Sequence, residues 1–204
     1  MATAEPLCSS CNSIATTKCQ HCRCSRYCSK ACQEADWATH KLLCKDYRDF
    51  HLSSRPTTEH FLAIFFPPDE RKPRIHCPWR DDDDDDDDEG PWQAADSRPY
   101  IQGCLGQAQI QFNKALARPL PDTIRIDYRD SGRIDGSPPN LACDSLCARR
   151  GIVSGRCGPV LAYGMQGLGV DQNVSRDLDL SDFRHVVDFL LADEMTTGIE
   201  CVRV

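Results

Sequence analysis

Four ligand pairs crowd one short stretch of the chain: Cys8-x2-Cys11, Cys19-x2-Cys22, Cys28-x3-Cys32 and His40-x3-Cys44. Zn2+ takes four thiolate or imidazole ligands when its role is structural and keeps an open position when its role is catalysis. Eight ligands fill two tetrahedral sites and leave none for a reactive water. The chemistry they point to is structural metal binding, with two zinc ions as the expected cofactors. A disulfide framework is the competing use of so many cysteines, and it needs an oxidising compartment. Residues 1–7 lack the basic and apolar segments of a secretory leader, so the expected compartment is the cytosol or nucleus. His21 and Cys24 flank the second knuckle as competing ligands; with both sites already filled, they read as a surface imidazole and a free thiol.

The spacing also dictates the elements that hold these ligands. Cys-x2-Cys is the tight turn with which two thiolates grip one ion. Cys28/Cys32 and His40/Cys44 are i, i+4 pairs, which a helix places on one face. Ser29 can cap a helix over Lys30–Ala35, and Asp36 a second over Trp37–Cys44. The stretch therefore reads as two knuckles and two short helices, the latter continuing through Tyr47, Phe50 and His51 until Pro56 stops it. A core this small needs metal to fold, and structural zinc supplies roughly 10–16 kcal/mol in comparable peptides.

The run from Tyr27 and Cys28 through Gln33, Trp37 and Lys41 to Cys44, behind two Cys-x2-Cys pairs, resembles a MYND-type zinc finger over residues 8–44. The resemblance implies a cross-braced fold in which Cys8, Cys11, Cys28 and Cys32 share one zinc and Cys19, Cys22, His40 and Cys44 the other. Spacing alone leaves sequential pairing open. The resemblance also implies a groove for short Pro-x-Leu-x-Pro-type segments, with Gln33 and Trp37 at the groove positions. The family can place a small serine where this chain has Gln20, a bulkier side chain that could narrow the groove.

Beyond the finger, the net charge of −7 is carried by Asp81 to Asp88 and Glu89; without those nine acids the rest is +2. Residues 1–60 hold eight Lys/Arg and six Asp/Glu, which argues against nucleic-acid binding by electrostatics. No apolar run approaches the length of a membrane span. The expected organisation is a finger at 1–52, a linker at 53–59 and an α+β domain at 60–204 with an acidic disordered loop at about 80–98. Strands are expected at Phe61–Phe66, Arg74–Trp79, Thr123–Tyr128 and Pro159–Tyr163. Ile101, Leu105, Ala108, Phe112 and Leu116 predict an amphipathic helix over 100–117, and Gly- and Pro-rich 135–159 reads as loop.

The last helix is expected to start at a Ser181 cap, with Phe183, Val186, Val187, Leu190 and Leu191 as its apolar stripe and His185 half-exposed beside it. Cys143, Cys147 and Cys157 could be three ligands of a further zinc, but without a Cys-x2-Cys knuckle they read as separate thiols. Segments such as Leu120–Ile124 and Asp182–Asp188 faintly resemble the bodies that follow MYND fingers in uncharacterised fungal proteins.

Three classes of function compete. The first, preferred here, is an adaptor or regulatory protein whose finger binds a proline-containing peptide of a protein partner. The second is a methyltransferase-associated enzyme of the SET/MYND type. The chain lacks the Asn-His-Ser-Cys and Gly-Glu-Glu-Leu segments of such enzymes, and Asn140-Leu-Ala-Cys143 is a poor substitute. The third is a DNA-binding regulator, for which a recognition helix should carry a row of Arg, Asn or Lys in place of metal ligands.

Overall fold

The computed structural model describes residues 5–83, 92–169 and 174–192. The finger comprises a two-residue pair, β1 (Thr17–Lys18) and β2 (Arg26–Tyr27), and one helix, α1 (Lys30–Asp49). Ser29 caps α1 by accepting from the Cys32 amide. The two short helices expected here run together as this single helix, which ends at Asp49 without reaching Phe50 or His51. No Gly or Pro interrupts residues 30–49. Asp36, expected as a cap, is buried mid-helix, where Tyr27 and Arg184 occupy its carboxylate. Tertiary partners override its local preference for a helix end.

The body follows as β3 (Ala63–Phe66), β4 (Arg74–His76), β5 (Arg80–Asp83), β6 (Trp92–Ala95), β7 (Leu105–Asn113), β8 (Arg118–Arg129), α2 (Leu141–Ala148), β9 (Val160–Met165), β10 (Ser175–Arg176) and α3 (Leu180–Leu191). An antiparallel sheet runs β4-β3-β9-β8-β7, with β10 paired to the end of β9. The acidic loop expected at about 80–98 is not loop at its ends, because β5 pairs antiparallel with β6 and Ala95 and Ser97 are buried; residues 84–91 lie outside the described residues.

Both faces of the central strands are covered, and the period-two rule divides them. Ile64, Phe66, Val160 and Ala162 face one core with α2, α3 and the finger; Ala63, Phe65, Leu161 and Tyr163 face a second with Ala95 and Ile101. That is why β9 reads as an unbroken apolar run and not as an alternation. The finger has no separate core. Tyr27, Leu42 and Leu43 belong to the same cluster as Phe183 and Val186 of α3.

Three further expectations are corrected. Residues 100–117 contain no helix: Leu105–Asn113 is a strand paired along β8. Helical periodicity lost to alternation, because Gln107 and Gln109 separate Gly106, Ala108 and Ile110, and an irregularity after Ile110 turns Phe112 outward and Asn113 inward. Residues 135–159 are not all loop, since Asn140 caps α2 through the Cys143 amide. The last helix starts one residue before Ser181: Asp179 is the cap, accepting from Ser181 and Asp182 in a capping box.

Candidate metal centre

The two knuckles and α1 bring the eight ligands into two sets. Cys8, Cys11, Cys28 and Cys32 form one; Cys19, Cys22, His40 and Cys44 form the other. Pairing is therefore interleaved: each set takes one knuckle and one i, i+4 pair from α1 or the residue before its cap. A zinc tetrahedron with bonds of about 2.3 Å has S···S edges of about 3.8 Å. The Sγ separations are 3.6 Å for Cys11–Cys28, 3.5 Å for Cys28–Cys32, 3.9 Å for Cys32–Cys11 and 3.8 Å for Cys19–Cys44. His40 offers Nε2, at 3.3 Å from Cys19 Sγ and 3.6 Å from Cys22 Sγ. Both sets fit one zinc ion each.

Without metal, the surroundings favour the thiolate at Cys11 and Cys19 and oppose it at Cys22, Cys32 and Cys44. The Ser10 amide donates to Cys8 Sγ at 3.4 Å. The backbone and hydroxyl of Ser13 pull the Cys11 thiol down to about 6. In the second set, burial and the neighbouring Cys22 and Cys19 push the metal-free Cys44 thiol up to about 12. A dication reverses that repulsion, so metal binding there releases protons. His40 Nδ1 is 3.1 Å from Ser25 Oγ, and with Nε2 on the metal it donates to that hydroxyl.

Cys24 joins neither set: its sulfur accepts from the Leu180 amide at 3.2 Å, at the start of α3, and burial holds it protonated. His21 is exposed. Among the described residues, Cys143, Cys147 and Cys157 gather no metal cluster, and the first two are buried in α2. His185 is buried, not half-exposed; Asn113 Nδ2 lies 2.8 Å from its Nδ1, and burial lowers its pKa.

Sequence reasoning missed the residues that lock the finger onto the body. Arg118 Nη2 donates to Cys8 O at 2.7 Å and to Cys11 O, and its Nε to Asn12 Oδ1 at 2.9 Å. One arginine of the β8 strand thus straps the whole first knuckle. Arg184 Nη1 meets Asp36 Oδ1 at 3.0 Å while Tyr27 donates to Asp36 Oδ2 at 2.7 Å. Arg149, just past α2, donates to Ala38 O on α1. No local pattern announces partners more than a hundred residues apart.

Residues 8–44 match the family model of the MYND finger. They form a MYND finger. Such a finger is a protein–protein interaction module, a binding unit and not a catalytic one. The chain is 53% identical over 42 residues to ubiquitin carboxyl-terminal hydrolase 19 of Arabidopsis thaliana, covering 20% of this chain and 6% of that protein. It is 50% identical over 40 residues to SET domain and MYND-type zinc finger protein 6 of Schizosaccharomyces pombe, covering 19% and 8%. The chain thus spans less than a tenth of the length of either relative, and each match is about as long as the finger. No solved structure matches the chain significantly. No helix among the described residues is long and apolar enough to cross a membrane.

The three residues expected to contact a peptide are all at or near the surface. Trp37 is 44% exposed on α1, its ring centroid 6.0 Å from that of the ligand His40. Gln33 lies one turn earlier on the same side of α1 and is half-buried; Gln20 is exposed between Cys19 and Cys22. Lys41 and Lys45 continue the Trp37 side of α1 and are exposed.

Proposed function

We propose that the protein is an adaptor or regulatory factor whose finger binds short, extended, proline-containing peptides of a partner over Trp37. The observation that carries this reading is an indole 44% exposed on a helix that also supplies metal ligands. A side chain of that size loses little entropy on binding when metal and packing already fix its backbone, and a polyproline-type segment is itself pre-ordered. The Gln33 amide can bond the peptide backbone, and Gln20 narrows the surface relative to a small side chain. Lys41, Lys45 and Arg149 give its flank positive charge, which favours peptides with an acidic residue beside the proline motif. Residues 1–52 act as the recognition unit, joined through 53–59 to a body at 60–204. The thiolate sites suit a reducing compartment, the cytosol or nucleus.

The test is Trp37→Ala in the full chain, with zinc content verified. Titration with a synthetic proline-containing peptide should show affinity weakened by at least about tenfold, as for a central aromatic anchor. Unchanged affinity with both zinc ions retained overturns the peptide reading.

A further inference from the structure

Far from the finger ligands in sequence, a polar cavity of about 170 Å³ opens where the end of β8, the 3-10 turn Asp130–Arg133 and the loop at 155–157 meet. Its wall includes Tyr128, Arg129, Asp130, Arg133 and Arg156. Three guanidinium groups thus stand against one lining carboxylate.

Their hydrogen bonds show how much of that charge is already met. Arg129 spends its Nε on Asp135, 2.6 Å away. Arg133 donates Nε to Gly155 O at 2.9 Å, which anchors the side chain by its neck and leaves its two terminal nitrogens. Gly155 has φ +60, and a Cβ there would stand 2.8 Å from Arg133 Nη2, so a bare backbone is what admits the guanidinium. Arg156 is only 9% exposed and lies over the Tyr128 ring, 4.5 Å from its centroid. Its Nη2 is buried without a hydrogen-bond partner. No carboxylate among the described residues pairs with it; its burial works against its charge, Tyr128 and Cys143 favour that charge, and the neighbouring Arg133 opposes it. Arginine nonetheless stays protonated in proteins, so a buried guanidinium with an orphan donor lacks a counter-group. A water could take one proton but would leave two adjacent cations uncompensated.

We propose that this cavity binds a small ligand through an oxyanion, a phosphate or carboxylate group, held by Arg133 and Arg156 with Arg129 at its edge. Forked guanidinium donors match the geometry of both anions. Tyr128 fixes the plane of the Arg156 fork from below. Asp130 lowers the positive charge of the wall without cancelling it, which suits an anion of one or two charges. The site is independent of the peptide surface on α1.

The experiment uses the full, zinc-loaded chain at constant ionic strength. Inorganic phosphate, phenyl phosphate and benzoate are titrated in separate arms, read by calorimetry and by melting temperature. Saturable binding in at least one arm, with a rise in melting temperature, is the expected result, and the preferred arm identifies the phosphate or carboxylate source. Arg133→Gln and Arg156→Met should each weaken that binding by about tenfold or more. Arg133 is exposed, so its variant keeps the test decisive even if Arg156→Met folds poorly. Absence of saturable binding in all three arms, or equal affinity in Arg133→Gln, overturns the proposal.

Discussion

His40 is held at both ring nitrogens, Nε2 among the sulfurs of Cys19 and Cys22 and Nδ1 at the Ser25 hydroxyl. The hydroxyl fixes which nitrogen carries the proton, and so keeps Nε2 free for metal. Ser25→Ala should therefore weaken zinc at the second site by about ten- to a hundredfold while sparing the first. Competition with a chromogenic chelator would resolve the two sites; equal release from both would show that Ser25 only packs. Cys24→Ser is the matching control, because that sulfur serves the Leu180 amide and no metal. Residues of this kind divide cleanly by legibility. The eight ligands could be read from sequence because each pair lies within one turn of backbone. Ser25, Arg118 and Arg184 could not, since what they do is set by partners brought in by the fold, across 148 positions for Arg184 and Asp36.

The same division holds for elements. β3, β9 and α3 were legible because burial stamps an apolar run or a stripe on each. β7 was not, because its apolar residues also fall near helical spacing, and only the intervening glutamines distinguish the strand. Gly106 settles it structurally: a Cβ there would stand 2.5 Å from the Tyr128 ring on the neighbouring strand. α2 was hidden by the Gly- and Pro-rich segments on either side, although Asn140 and the Cys143/Cys147 spacing carry its cap and face. The joint between α1 and α3 is the element contact with most at stake. Arg184 there bridges Asp36 and Asp188, and all three side chains are largely buried. Arg184→Met removes the cation and leaves two buried carboxylates facing each other's helices. Destabilisation of about 3 kcal/mol is expected, read from denaturant midpoints. An Asp36→Asn partner in a double-mutant cycle should recover part of it; strict additivity would show that the pair contributes nothing.

At the scale of the whole molecule, metal and sheet share one core. Leu42 and Leu43, on the helix that carries the ligands His40 and Cys44, pack into the cluster that also holds Ile124, Val160 and Val186. Stripping zinc should therefore loosen the body as well as the finger. Amide exchange in the full chain gives the measurement: chelation should speed exchange in α3 and along β9 together with α1. Protection of α3 unchanged by chelation would mean that the finger hangs on the body without supporting it.

The strap from Arg118 and the clasp at Arg184 also set a schedule. During synthesis the ligands emerge before the body, and the arginine that closes the first knuckle arrives more than seventy residues after Cys44, with the helix that covers Leu42 and Leu43 later still. At about 5–20 residues per second, a nascent chain presents a half-covered finger for roughly seven to thirty seconds before α3 is complete. For that interval its apolar side faces the ribosome exit and whatever waits there, so the newborn protein has a surface that the finished one no longer shows.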